Sequence, residues 1–211
     1  MRLTDIIEYW KSQRKNAQGK WTHPDDDHVL SNVRHSFNLD YPLGPFIGDL
    51  PKATVIVLGA NGGFNEGRTP IEFGRKGWHE EYLERMQHPS NHDWRVVDDY
   101  YRARNYYGLL GQRQLVLVNA CAYRSPSISN EPENRSIIAK LPSAQFTRRW
   151  LMEAVLPMAS RGERLVVVKR SRLWRLDAAT RVAPGLVVDK APISPDITGE
   201  AWSMAIRAVG G

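Results

Sequence analysis

The chain has 211 residues, of which 29 are Lys or Arg and 23 are Asp or Glu, so its net charge is +6 and its sequence pI is near 9.5. This length suits one domain with one ordinary core, and the basic surplus favours a polyanionic partner. The single cysteine, Cys121, excludes an internal disulfide, a cysteine-based zinc site and a four-thiolate iron–sulfur cluster. Because no run approaches the roughly 18 apolar residues of a membrane span and the first residues lack the apolar core of a signal peptide, we expect a cytoplasmic protein without a membrane partner.

The hydrophobic pattern predicts helices that alternate with short buried strands. A first helix begins after Thr4 and places Ile6, Ile7 and Trp10 on one face. The segment 42–51, PLGPFIGDLP, is typical of a loop. Further along the chain, apolar runs predict strands at 54–58, 115–119, 164–168 and 186–189, and helical patterns occur at about 78–86, at about 94–107, from Ser143 and from about Gly199.

This alternation predicts an α/β fold. Since no Asn-Gly hairpin joins the strands, we expect a mostly parallel sheet with helices on both faces. The predicted architecture is a three-layer αβα single domain over 1–211, with a lead-in over 1–42 and a core over 43–207 that contains a four-stranded sheet. Ligands bind at the carboxyl ends of such strands, which here are followed by the segments 59–64, 119–125, 169–171 and 190–195.

The corner after the first predicted strand, GANGGF at 59–64, is the most informative of these segments. Glycine tolerates positive φ and has no Cβ, so the backbone N–H groups of this corner can approach a ligand closely. The alternative is a tight strand-to-helix turn that binds nothing.

Two other chemistries have partial signatures. Residues 62–69, GGFNEGRT, differ at one position from the phosphate-binding loop G-x-x-x-x-G-K-[ST], because Arg68 replaces the lysine, and Pro70 follows at once. Three histidines, His79, His88 and His92, are candidate metal ligands. His88 and His92 would align on one face of a helix, but Pro89 lies between them and interrupts that helix. We therefore treat nucleotide binding as a distant alternative and expect neither a metal nor a cofactor.

Four motifs follow one another in the chain: GANGGF at 59–64, GRTPIEFG at 67–74, LVLVNACAYRS at 115–125 and APISPDI at 191–197. In this order they resemble the uracil-DNA glycosylase superfamily. The similarity is closest to the branches whose motif A is G-x-N-P-G, namely the mismatch-specific thymine/uracil and the single-strand-selective glycosylases. The resemblance covers about residues 43–207 and implies the fold of that superfamily.

The resemblance further implies a monofunctional glycosylase that hydrolyses the N-glycosidic bond of a base flipped out of DNA. Asn61 matches the asparagine that positions the attacking water, Phe73 the aromatic residue that stacks on the base, and Asn119 the asparagine that reads its edge. The remaining base-binding residues are Gly59, Gly62, Gly63 and Phe64, and the N–H groups around the last two would meet a carbonyl oxygen of the base.

This chain departs from the motifs of those branches at two points. Gly62 replaces the motif A proline. Motif B lacks the histidine that usually stabilises the departing base anion, and we expect Lys190, Ser194 or Lys169 to replace it, with Lys190 preferred. Gly63 stands where uracil-specific enzymes have a tyrosine, which predicts a pocket open to 5-substituted pyrimidines. The protein would remove such bases in repair or in defence against phage DNA with hypermodified bases. A catalytically silent DNA-binding relative is the alternative.

Basic residues are concentrated in the last third of the chain. They are Arg148, Arg149, Arg161, Arg164, Lys169, Arg170, Arg172, Arg175 and Arg181. Clustering of this kind favours DNA over a small acidic metabolite as the partner. We expect the DNA contacts to come from Lys169, Arg170, Ser171 and Arg172, which follow the third predicted strand.

Overall fold

The structure, a computed structural model, describes residues 1–177 and 183–210. Arg181, one of the clustered basic residues, lies outside them. The strands are β1 (Arg14–Lys15), β2 (Trp21–Thr22), β3 (Phe46–Ile47), β4 (Val55–Asn61), β5 (Leu115–Cys121), β6 (Leu165–Val168) and β7 (Leu186–Val188). The helices are α1 (Asp5–Trp10), α2 (Asp27–Asn32), α3 (Thr69–Phe73), α4 (Trp78–Gln87), α5 (Asp99–Arg102), α6 (Tyr107–Gly111), α7 (Pro132–Ile138), α8 (Pro142–Trp150), α9 (Leu156–Ser160), α10 (Ser171–Trp174) and α11 (Gly199–Gly210).

Within the described residues, the central sheet has five strands in the order β3-β5-β4-β6-β7. Strands β4 to β7 are parallel to one another, and β3 pairs antiparallel with β5 at the edge. In the register of the sheet, Val55 of β4 lies between Leu115 of β5 and Leu165 of β6. The α/β class and the mostly parallel sheet are therefore confirmed, but the sheet has five strands where we expected four.

The fifth strand, β3, forms inside the segment that we predicted to be a loop. Only two residues of this segment pair with β5, between Pro45 and Gly48. So short a strand leaves no alternating hydrophobic pattern in the sequence. Proline and glycine next to it are tolerated because β3 lies at the edge of the sheet.

Alternate residues of β4 pack on opposite faces of the sheet, as expected for a strand with a side-chain period of two. Ile56 and Leu58 join the larger core, which also contains Trp10 of α1 and Trp150 of α8. Val55 and Val57 join a second core that contains Leu109 of α6 and Ala201 and Ala205 of α11. Helices thus cover both faces, and the layers are α, β and α.

The predicted first helix and the predicted final helix are confirmed by α1 and α11. The predicted helix at 94–107 is wrong, since this stretch contains only α5 and the residues that lead into α6. Asn105 lies between the two helices, where its backbone N–H donates to Asp196 Oδ1 at 3.0 Å and its side chain donates to the Ile197 carbonyl at 2.7 Å. These tertiary bonds replace the local bonds that a continuous helix would require.

Within the described residues, the structure contains no helix with the length and apolar character that crossing a bilayer requires.

The short edge strand β3 generates a stability prediction at Gly48. Its φ is +123°, and a Cβ added there would lie 2.6 Å from the Leu115 carbonyl oxygen. We expect Gly48→Ala to lower the free energy of unfolding by about 3 kcal/mol, because a strained backbone and a clash with rigid backbone atoms add together.

Gly108 in α6 provides the control, because a Cβ added there meets nothing within 4 Å. Gly108→Ala should leave stability unchanged or raise it by up to about 1 kcal/mol. Urea denaturation of both variants measures the difference. Equal stabilities would contradict the described pairing of β3 with β5.

Candidate active site

A cleft of about 430 Å³ opens at the carboxyl ends of β4, β5 and β6. The chain leaves β4 toward β5 on one side and leaves β6 toward β7 on the other, so the loops diverge above the sheet and leave a crevice. The cleft is lined by residues 59–65 after β4, by residues after β5 and β6, by 192–195 after β7, and by the rings of Tyr100, Tyr101 and Tyr106. Its position is the one that the strand ends predict.

Most of the predicted site residues line this cleft. They are Gly59, Asn61, Gly62, Gly63, Phe64, Asn119, Lys169, Arg170 and Ser194. The cleft does not include Phe73, Lys190, Ser171 or Arg172, all of which lie within the described residues.

The glycines of the corner serve three different purposes. A Cβ on Gly59 would lie 2.7 Å from Asn119 Oδ1, so this glycine makes room for the asparagine side chain on the neighbouring strand. A Cβ on Gly62 would lie 2.6 Å from the Ala122 carbonyl oxygen, which is rigid backbone. Gly63 has a φ of +63° and open space around it. The loop is therefore unobstructed at Gly63, but its left-handed backbone would strain a larger residue.

Two asparagines line this cleft, and both use the Nδ2 of the side chain to bind the protein. Asn61 Nδ2 donates to the Ser125 carbonyl at 2.9 Å, and Asn119 Nδ2 donates to the Gly44 carbonyl at 2.8 Å. A backbone carbonyl can only accept, so both side-chain orientations are fixed. Neither Oδ1 atom accepts a hydrogen bond from the described residues. Neither atom is fully buried, so solvent reaches both.

Phe73 lies beside the cleft and not in it. Its side chain is 5% exposed and packs against Tyr41 and Tyr82, with ring centroids 5.3 and 5.2 Å away, below the guanidinium of Arg124. This burial does not agree with our expectation that Phe73 stacks on an extruded base. The motif GRTPIEFG gives the place of Phe73 in the chain, but its burial follows from the packing of α3 against α4.

Lys169 does not present a free charge. Its Nζ lies 2.9 Å from Asp189 Oδ2, both side chains are buried, and it also donates to the Asp196 carbonyl. Our expectation that Lys169 contacts phosphate or replaces the motif B histidine therefore does not agree with its position. The ion pair instead fixes the segment after β7, because Asp189 also accepts from the N–H groups of Ala191 at 2.9 Å and Thr198 at 3.0 Å.

Lys190, our preferred replacement for the histidine, is exposed and lies outside the cleft. Its neighbour Asp189 is buried, and the N–H of Asp189 donates to the Val168 carbonyl at 3.0 Å. Ser194 does line the cleft, where its Oγ accepts from the Asp196 N–H at 3.1 Å.

The basic segment after β6 is divided between the cleft and the surface. Arg170 lines the cleft, whereas Ser171 and Arg172 lie on the short helix α10, with Arg172 exposed. The same helix carries Trp174, whose Nε1 donates to the Gly59 carbonyl at 2.8 Å. Helix α10 is thus attached directly to the end of β4.

Arg124 is a site residue that the sequence analysis did not single out. Its side chain is buried and holds the glycine corner, since Nη1 donates to the carbonyls of Gly62 at 3.0 Å and Gly63 at 3.2 Å. Nε donates to the Pro42 carbonyl at 2.7 Å, and Nη2 to Tyr82 Oη at 3.2 Å. The only signal in the sequence is one arginine after a strand, which does not distinguish it from a surface residue.

Glu72 of α3 also lines the cleft. Burial raises the pKa of Glu72, and the positive charge of Arg124 opposes that rise.

Among the described residues, no group of three or more His, Cys, Asp and Glu side chains is arranged to hold a metal ion.

Comparisons of the chain with protein-family models, with curated proteins and with solved structures found no match.

The buried ion pair predicts how Lys169 contributes to stability. We expect Lys169→Met to lower the free energy of unfolding at pH 7 by about 3 kcal/mol, because it leaves the Asp189 carboxylate buried without its cation. The double variant Lys169→Met/Asp189→Asn should recover part of this loss. Chemical denaturation measures both, and a Lys169→Met variant as stable as the wild type would contradict a buried pair.

The same carboxylate predicts a pH dependence. Burial alone would raise the pKa of Asp189, but hydrogen bonds from Thr198, Ala191 and Lys169 hold it below the ordinary value of 3.8. A lowered pKa in the folded state stabilises the fold above 3.8, and this contribution is lost as the pH falls through the folded-state value. Asp189→Asn should remove this part of the acid sensitivity, as measured by denaturation across a series of acidic pH values.

Proposed function

We propose that this protein is a monofunctional DNA glycosylase with a uracil-DNA glycosylase-like fold, which hydrolyses the N-glycosidic bond of a flipped pyrimidine. The observation that carries the proposal is the pair of solvent-accessible Oδ1 atoms of Asn61 and Asn119 in one cleft at the carboxyl ends of adjacent parallel strands. These are the two asparagines that the family resemblance assigns to the water and to the base.

Asn61 has the geometry to hold a water molecule. Its Nδ2 is bound to both the carbonyl and the hydroxyl of Ser125, at 2.9 and 3.0 Å, so the side chain is restrained while Oδ1 can accept from water. A carboxamide oxygen is a weak base. It suffices here because the transition state resembles an oxocarbenium ion and needs little nucleophile strength.

Asn119 has the geometry to recognise a base edge. Its Oδ1 lies over Gly59 and can accept from the ring N–H of a uracil-type base or from the amino group of a cytosine-type base. Phe64 lines the same cleft, is half-buried, and takes over the stacking role that we expected of Phe73. The open space at Gly63 favours a pyrimidine substituted at C5, and the protein would remove it in cytoplasmic repair or in defence against modified phage DNA.

The distant alternative, nucleotide binding by residues 62–69, has less support. In a phosphate-binding loop the backbone N–H groups are available to the ligand. Here the Asn65 side chain accepts from the N–H groups of Gly67 at 3.1 Å and Arg68 at 3.0 Å, and the Asn65 carbonyl accepts from Thr69 at 2.9 Å. The loop therefore uses its own donors.

The catalytic proposal is tested at Asn61. We expect Asn61→Ala to lower single-turnover excision by at least about a hundredfold, or about 3 kcal/mol of transition-state stabilisation, while DNA affinity changes little. The assay incubates the protein with oligonucleotides that carry different modified pyrimidines and cleaves abasic sites with alkali.

Asn32→Ala is the matched control, because Asn32 is exposed on α2, away from the cleft. Its excision rate should equal that of the wild type. An Asn61→Ala rate within threefold of the wild type would remove Asn61 from the mechanism. If the wild type binds DNA but excises no base of the panel, the catalytically silent alternative is favoured.

The DNA-binding surface makes a prediction of its own. Arg170 lines the cleft and Arg172 is exposed beside it, so we expect each to contact phosphate. Arg170→Ala and Arg172→Ala should each make the slope of log K against log salt shallower by about 0.9, because one fewer condensed counterion is released.

Lys52→Ala removes the same charge at the opposite end of the sheet, since Lys52 is exposed just before β4 begins. Its salt slope should match that of the wild type in the same fluorescence-anisotropy titrations. Unchanged slopes for both arginine variants would place the DNA elsewhere on the protein.

A further inference from the structure

Two arginines of this protein are buried to the same extent but differ in how their charges are compensated. Arg85 and Arg124 are each 6% exposed, and each guanidinium lies over two aromatic rings, Trp78 and Trp94 for Arg85 and Phe73 and Tyr82 for Arg124. Arg85 forms an ion pair with Glu81. Arg124 has no carboxylate within 4.0 Å among the described residues.

A buried charge without a counterion is costly, so its retention needs a reason. The partners of Arg124 are three backbone carbonyls and the Tyr82 hydroxyl, all of them neutral. A guanidinium has five N–H donors. These bonds account for all but one, a donor on Nη2, which has no acceptor in the part of the chain that the structure describes.

Arg124 also lines the cleft that holds the two asparagines. We propose that Arg124 forms an anion subsite at the floor of this cleft and that the anion it stabilises is the pyrimidine base as it departs. This inference rests on the proposed function. Arg124, which follows β5, then takes the role of the absent motif B histidine. Lys190 lies outside the cleft, and the charge of Lys169 is neutralised by Asp189.

The reaction requires such a charge at one step. When the N-glycosidic bond breaks, its electron pair goes to the base, and the oxygen of the water bonds to C1′ of the sugar. The water releases a proton to solvent, and the base anion takes up a proton after it leaves. A fixed cation facing the base stabilises the negative charge only while it develops, which lowers the barrier.

The other ionisable groups around Arg124 are consistent with a positive potential at this point. Glu72 on α3 and Tyr82 on α4 face it, and burial raises the pKa of each side chain while the charge of Arg124 opposes the rise. The carboxylate of Glu72 feels the charge of Arg124 but forms no ion pair with it. An acidic group with a raised pKa ionises less readily, so Glu72 and Tyr82 neutralise Arg124 incompletely. The cleft therefore keeps a net attraction for an anion.

The test varies the acidity of the leaving base. Single-turnover excision is measured for uracil, 5-hydroxymethyluracil and 5-fluorouracil in otherwise identical DNA, with wild type, Arg124→Met and Arg124→Lys. Arg124→Met should lower the rate by about a hundredfold for the least acidic base and by about threefold or less for the most acidic, since a good leaving group needs little help. Arg124→Lys keeps the charge and should restore most of the loss.

Arg85→Met is the matched control, because Arg85 is equally buried but lies outside the cleft lining. It should lower all three rates by the same factor or by none. If Arg124→Met also lowers all three rates equally, Arg124 only supports the glycine corner and the inference is overturned while the proposed function stands. If the wild type excises no base at all, the proposed function fails and the inference fails with it.

A second measurement reads the charge without excision. Free 5-nitrouracil is much more acidic than uracil because its nitro group withdraws electrons, and its anion absorbs at longer wavelength than the neutral base. We expect its pKa to fall when it binds the wild type and Arg124→Lys, and to fall less or not at all on Arg124→Met. Equal values for bound base on wild type and Arg124→Met would overturn the anion subsite.

Discussion

The backbone carbonyls at the end of β4 and just beyond it have no partner from strand β6 and have to be satisfied by other groups, and the shape of the cleft follows from this. Strand β6 stops pairing with β4 at Leu58, beyond which the Gly59 carbonyl accepts from Trp174 and the Gly62 and Gly63 carbonyls accept from Arg124. Gly59 and Gly62 are partly buried, and an unpaired carbonyl that is shielded from water would cost about 1–3 kcal/mol. These bonds therefore draw helix α10 and the loop after β5 to the same end of the sheet and build the walls of the site.

The same constraint determines which atoms the site offers to a ligand. Asn119 is held by the Gly44 carbonyl and Asn61 by Ser125, so the donors of both side chains are directed to the protein and their oxygens remain available. A site with two fixed acceptors and a buried cation that forms no ion pair, Arg124, is suited to a substrate that brings N–H groups and develops negative charge. A pyrimidine leaving a sugar has both properties, which links the backbone geometry of β4 to the proposed chemistry.

The sequence predicts the features that depend on hydrophobic periodicity and on strand ends. The apolar runs place β4 to β7 correctly, and the glycine corner with Asn61 and Asn119 falls in the cleft. Features that depend on tertiary contacts are missed. The strand β3 is too short to leave a pattern, and the burial of Phe73 and the pairing of Lys169 with Asp189 arise from residues distant in the chain. Arg124 was missed for the same reason, since its four acceptor residues come from three separate segments.

A crystal structure of the protein soaked with a free 5-substituted pyrimidine, such as 5-hydroxymethyluracil, would show whether the cleft binds a base. We expect the base to lie against Phe64 with a ring N–H about 2.9 Å from Asn119 Oδ1, and its C5 substituent to extend toward Gly63. Electron density for the base at any other surface, or in the cleft without a contact to Asn119, would contradict the account.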